Sequence, residues 1–155
     1  MIQKIKKSDR DYLVKIISRI DEFKDEEKEV AIELIDAAIS GNEDYLTFVY
    51  YLDEVPIGYY CIGKRALTDG VYDLYWIAID PRRQGKGFGR ELLNHAEKFV
   101  KNNNGRWLLI ETSSKSNYKS TRDFYLRNLY SKVAEIKDFY SKDDSLIIFG
   151  KYLTT

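Results

Sequence analysis

The sequence predicts a mixed α/β fold, and three observations carry that expectation. Stretches with apolar residues at helical spacing alternate with β-rich runs along the chain. The run 74–79 is almost continuously apolar, as a strand buried on both faces should be. That run feeds directly into the glycine-rich segment Gln84-Gly85-Lys86-Gly87-Phe88-Gly89-Arg90 and then into a second helical pattern, which makes a strand–turn–helix unit. A chain of 155 residues with 44% hydrophobic content fits one domain spanning 1–155 and can bury a sizeable core.

Taken in order, residues 2–5 alternate and predict a first strand. Ser8-Asp9-Arg10-Asp11 has the composition of a helix N-cap, and Tyr12, Leu13, Ile16, Ile17 and Ile20 then recur at helical spacing. Val30, Ala31, Leu34, Ile35, Ala38 and Ile39 form the stripe of a second helix, which Gly41-Asn42 stops. Residues 45–52 and 55–62 are β-rich and separated only by Asp53-Glu54, which predicts a hairpin in which Pro56 must avoid a ladder position. Gly70 punctuates the entry to the strand 71–79. After the glycine segment, Phe88, Leu92, Leu93, Ala96, Phe99 and Val100 lie about one turn apart, and Asn102-Asn103-Asn104-Gly105 ends that helix. A strand over 107–112, a helix over 120–128 and two last strands at 134–136 and 146–152 complete the order.

The glycine segment is where chemistry enters. Glycines at alternating positions leave backbone N–H groups uncovered, and a helix starting there adds unpaired N–H donors and the positive end of its dipole. An anion is the natural occupant, although a glycine-rich turn with no ligand has the same composition. A phosphate loop of the Walker type needs Ser or Thr after Gly-Lys, and here Gly87 follows Lys86. A dinucleotide fingerprint needs Gly-x-Gly-x-x-Gly, whereas Gly85, Gly87 and Gly89 are evenly spaced.

Composition narrows the remaining classes. Lysine plus arginine and aspartate plus glutamate are 25 each, which argues against nucleic-acid binding by bulk charge. The balance is uneven: residues 1–80 carry 10 basic and 17 acidic side chains, residues 81–155 carry 15 and 8, so the halves are −7 and +7. Cys61 is the only cysteine and His95 the only histidine, which leaves no intrachain disulfide, no cysteine cluster for a metal, and one histidine for base chemistry. No apolar run approaches the roughly 18 residues that span a bilayer, and residues 1–4 lack the apolar core of a signal peptide, so a cytoplasmic protein without a membrane partner is expected.

Gln84-x-x-Gly87-x-Gly89 resembles the acyl-CoA pyrophosphate loop of the GNAT superfamily of N-acetyltransferases. Phe124-Tyr125-Leu126-Arg127-Asn128-Leu129-Tyr130 is similar to the same family's Phe-Tyr-x-x-x-Gly-Phe segment, and the order of elements matches along essentially the whole chain. The resemblance implies a largely antiparallel mixed sheet flanked by about four helices, with a splayed pair of strands at the cofactor. It implies acetyl-CoA as co-substrate and transfer of its acetyl group directly to a primary amine, on a small molecule or a peptide, in a ternary complex. A non-catalytic acyl-CoA-binding regulatory module would carry the same loop. A homodimer is compatible with either.

The site residues follow from that resemblance. Backbone groups of Gln84, Gly85, Lys86, Gly87, Phe88, Gly89 and Arg90 would bind the pyrophosphate, with Arg82, Arg83, Lys86 and Arg90 adding screened charge. Main-chain groups of Ile77, Ala78 and Ile79 would pair with the pantetheine arm, and Tyr125 would face the sulfur and assist thiolate departure. Two departures stand out: Leu129 replaces the usual glycine, and Tyr118 occupies the usual asparagine position, with Asn117 one residue earlier. An alkyl ammonium with pKa about 10.4 must lose a proton before it attacks, and Asp73 falls where related enzymes carry their base. Glu111 at the end of the next strand is the second candidate, and water is a third. The acidic first half and Tyr59, Tyr60, Tyr72 and Tyr75 suggest a cationic or amphipathic acceptor, and residues 138–144 read as a connection that could line it.

Overall fold

The computed structural model describes residues 1–153. Among them it places β1 (Ile2–Lys4), α1 (Arg10–Ser18), α2 (Asp25–Ile39), β2 (Leu46–Leu52), β3 (Val55–Lys64), β4 (Val71–Ile79), α3 (Phe88–Asn102), β5 (Trp107–Ser113), α4 (Lys119–Arg127), β6 (Ser131–Ser141) and β7 (Asp144–Tyr152). The mixed α/β class and the element order are those the sequence predicts. The described residues group into two compact units, one of Met1–Gly63 with Leu74–Phe99, the other of residues 64–73 with the chain from Val100 onward.

In the first unit the strand order is β1-β2-β3-β4, with β1 and β3 antiparallel to β2. The β2–β3 turn is Asp53-Glu54, at φ 49° and 67°, the double left-handed geometry that matches the twist of a hairpin. Pro56 lies opposite Tyr51 and Gly58 opposite Tyr50, so one extra residue bulges out beside the proline and the missing N–H costs no ladder bond. Leu13, Ile16, Ile17, Ile20, Ala31 and Ile35 of the α1–α2 region pack on Val49, Tyr51, Tyr59 and Ala78. Each fully buried aliphatic side chain in this layer contributes roughly 1.5–3 kcal/mol. Elsewhere in this unit Phe48 stacks on Tyr60 and tilts against Phe99 of α3. Asp9 is buried, accepting from the Lys6 N–H at 2.8 Å and from the Tyr51 hydroxyl, so it ties the entry to α1 to the sheet rather than capping the helix.

In the second unit the order is β4-β5-β7-β6, with β4 parallel to β5 and the other pairs antiparallel. Leu108 and Ile110 of β5 lie on the same face as Lys151, Phe149 and Ile147 of β7. Tyr125 of α4 packs on that face, its ring 5.8 Å from Phe149. Residues 138–144 are a correction to the sequence reading. They are not an open connection: β6 runs through Ser141 and β7 begins at Asp144, leaving only a Lys142-Asp143 turn. Asp138 adopts φ 54°, and the β6–β7 register slips between Ile136 and Ser141, so the extra residues are absorbed as an irregularity in a paired strand.

Helix α4 is capped at its C-terminus by Asn128, and Leu129 takes φ 69°. The Leu129 N–H donates to the Leu126 carbonyl at 3.1 Å and the Tyr130 N–H to the Tyr125 carbonyl at 3.0 Å, the paired bonds of a Schellman cap. The turn thus forms with leucine where the family's glycine stands, held in a region that costs an L-residue roughly 1–2 kcal/mol. Leu129→Gly removes that strain but enlarges the unfolded ensemble, so a net stabilisation of about 0.5–1 kcal/mol is expected. Urea denaturation checks it, and an unchanged or lowered midpoint would refute it.

Candidate active site

Strand β4 hands the chain to the glycine segment through Asp80, whose N–H donates to the Ile57 carbonyl at 2.8 Å. The Asp80 side chain is buried, and it accepts from the Arg82 N–H at 3.1 Å, from the Arg82 guanidinium at 2.9 Å, and from Arg19 at 3.2 Å. Burial alone would raise its pKa. The Arg82 side-chain and backbone hydrogen bonds and the charges of Arg82 and Arg19 outweigh burial and hold the carboxyl below its usual value. Arg82, expected to add charge for a ligand, therefore has its guanidinium on Asp80.

Beyond this anchor Gly85 and Gly87 adopt φ 79° and 85°, which L-residues rarely reach. The Gly87 carbonyl accepts from the Glu91 N–H at 3.1 Å, so Gly87 is the cap of α3 and the first-turn N–H groups of Phe88, Gly89 and Arg90 have no acceptor within the helix. A Cβ built at Gly85 or Gly87 would meet no atom within 4 Å, so these glycines serve backbone conformation and an open approach rather than tight packing. Gln84, Lys86 and Arg90 are exposed around them. This is a surface that can hold a polyanion.

Two contacts that position this loop escaped the sequence reading. The Tyr50 hydroxyl donates to the Glu91 carboxylate, and its ring meets Phe88 edge-on at 5.2 Å. The bond to Glu91 and then burial raise the Tyr50 pKa, so it stays a donor. Gly58 lies so close to β4 that a Cβ there would sit 2.7 Å from the Ala78 carbonyl oxygen. His95 shares a 2.7 Å hydrogen bond with the buried Tyr60, and burial followed by the Lys98 charge lowers its pKa, which makes it a packed neutral residue. Tyr59 and Tyr60 are 1% and 0% exposed, so they are core and not an acceptor wall.

The second unit holds the carboxylates and the tyrosine. Asp73, 7% exposed, accepts from Arg65 Nη2 at 2.7 Å and Nε at 3.2 Å on the same oxygen. Glu111 is half-exposed, 3.7 Å from the same Arg65 nitrogen. The fold thus brings Asp73 and Glu111 onto one arginine that sequence reasoning did not single out. The β4–β5 register contains only Val71↔Trp107, Tyr72↔Leu108 and Asp73↔Leu109, and none of Ile77, Ala78 or Ile79 belongs to it. Tyr125 is 3% exposed, ringed by Phe124, Tyr130 and Phe149, and burial pushes its phenol well above the ordinary value. Asn117 is exposed on the short turn Ser116–Tyr118 that precedes α4.

No helix among the described residues is long and apolar enough to cross a membrane. No curated protein matches the chain. Among solved structures, a GNAT-family protein from Desulfovibrio desulfuricans is 34% identical, with 99% of each chain covered and a TM-score of 0.94. An aminoglycoside 6'-N-acetyltransferase complexed with coenzyme A is 16% identical, covers 100% of this chain and 98% of its own, and has a TM-score of 0.76. The ribosomal-protein-S18-alanine N-acetyltransferase from Escherichia coli is 18% identical over 100% of this chain and 94% of its own, at 0.78. These last two share the fold. Residues 10–129 match the acetyltransferase (GNAT) family, a span that contains both the glycine segment and Tyr125. The chain belongs to the GNAT family of acetyltransferases.

Proposed function

We propose that the chain moves the acetyl group of acetyl-CoA directly to a primary amine within a ternary complex. The observation that carries this reading is the glycine segment: two left-handed glycines, open to approach, set at the first turn of α3. Its N–H groups suit the pyrophosphate of coenzyme A, with Lys86, Arg83 and Arg90 as screened charges and Ile77, Ala78 and Ile79 offering main-chain groups to pantetheine. Exposed Asn117 is a further contact to that arm. Bound acetyl-CoA supplies an activated thioester.

The chain's own groups meet the remaining demands. A carboxylate, Asp73 or Glu111, directly or through water, takes the proton that the ammonium must lose before its nitrogen forms the new C–N bond. The C–S bond breaks, and the electron pair leaves on sulfur. Tyr125 stays protonated and offers its hydrogen to that sulfur. A phenol pushed above its usual pKa is a weak acid toward a thiol of pKa about 8.5, so its contribution is a hydrogen bond rather than complete proton transfer.

Acetyl-CoA at about 100 times its dissociation constant should stabilise the fold by about 2.7 kcal/mol, seen as a rise in melting temperature. Gly87→Ala cannot hold φ 85° without strain, so that rise should fall by more than half; an undiminished rise would remove the loop from the binding site. Tyr125→Phe should lower kcat for amine-dependent release of free CoA thiol by about 10- to 100-fold with little change in KM for acetyl-CoA. An unaltered kcat would take Tyr125 out of the chemistry. The buried Asp80 yields a pH test. Its lowered pKa means its stabilisation is present above the unfolded value of about 3.9 and lost as pH falls through the folded one. Asp80→Asn should therefore cost about 1 kcal/mol at pH 7, discounted for the exposed Arg82, and progressively less as pH falls below the unfolded value of about 3.9. Denaturation of both proteins across that pH range checks this.

A further inference from the structure

Glu111 sits on a defined surface within the second unit. Its cross-strand partner is Ile148, its neighbours two residues away on β5 are Leu109 and Ser113, and Ala134 of β6 lies opposite Ile148. Residues opposite one another in a ladder share a face, so Glu111, Leu109, Ile148 and Ala134 form one patch. Helix α4 is on the other face, where Tyr125 meets Phe149. Farther out, Ile136, paired with the buried Leu146 on the same face, is 48% exposed, and Val133 reaches to within 3.2 Å of where a Cβ at Gly150 would stand. Asp73, paired with Leu109, belongs to the same face, and Arg65 bonds it there. The charges gathered on this face are therefore Arg65 with Asp73 and Glu111, and, beside Ser113, the buried Asp144 with Lys115 at 4.0 Å, a net of −1.

We propose that this patch receives the acceptor and that the acceptor is a small primary amine with an apolar body and no second cationic group. The inference rests on the acetyl-transfer reading. A base must lie within hydrogen-bond reach of the proton it removes, so an amine served by half-exposed Glu111 places its first carbons against Leu109 and Ile148. One net negative charge complements one ammonium. A polycation would set its further charges on aliphatic side chains or beside Asp144, which already accepts from the Ser113 hydroxyl and lies 4.0 Å from Lys115. A peptide acceptor would instead satisfy its amides at a strand edge.

The test measures kcat/KM by release of free CoA thiol with 2-phenylethylamine, spermidine, kanamycin and a tetrapeptide beginning with phenylalanine. The first should exceed each of the others by at least about 10-fold, the scale of a filled apolar pocket. Ile148→Glu, and Ala134→Glu as a substitution at an exposed position that leaves folding intact, should cut the 2-phenylethylamine value about 10-fold and raise that for spermidine. Thermal stabilisation by acetyl-CoA should be unchanged in both variants. Preference for spermidine, kanamycin or the peptide, or identical values in wild type and both variants, overturns the acceptor inference and leaves acetyl transfer standing. Thermal stabilisation by acetyl-CoA with no thiol release from any amine overturns both and favours a non-catalytic acyl-CoA-binding module.

Discussion

A carboxylate taken out of water must be given partners of opposite charge or hydrogen bonds, and Asp80 is where this chain accepts that demand. Its solution is to collect Arg82, through both backbone and guanidinium, and Arg19 from the end of α1. Those bonds fix the chain at the exit of β4, one short turn before the glycines. The glycine segment can then leave its N–H groups open, because the preceding anchor rather than the segment itself sets its direction. Arg82 is engaged in that anchor, so the cations left exposed around the loop are Arg83, Lys86 and Arg90.

The second unit applies the opposite electrostatic solution. Asp73 and Glu111 share Arg65, which reduces two like charges on one sheet face to a net of one. Asp73 is buried while Glu111 and Arg65 are each about half-exposed, so which charges on that face meet solvent is set by burial rather than by residue type. Tyr125 shows the same control through burial. Enclosed by three aromatic rings, its phenol is held in the protonated form, which makes it a donor at any ordinary pH.

Local pattern was enough to read the helices, the strands and the glycine loop, because each is encoded by residues within a few positions of one another. Asp53-Glu54 and the Pro56 bulge illustrate this: two residues between β-rich runs leave few turn geometries, and a proline's missing N–H forces a slip in the ladder. Leu129 shows the limit of such reading. The sequence announces a residue ill-suited to a left-handed turn, yet the turn is kept, because the hydrogen bonds closing α4 and the buried Tyr125 and Tyr130 on either side fix it against a modest local cost.

The sequence by itself therefore determined the class of fold and the family resemblance, since periodicity and motif spacing are local properties of the chain. Tertiary structure alone decided which charges are spent and which are available. Arg65 reaches Asp73 across eight positions and Glu111 across a strand pairing, Tyr50 reaches Glu91 from another element, and residues 138–141 are drawn into the paired strand β6. Each outcome depends on burial and on partners distant in sequence, and burial is a property that only the folded chain possesses.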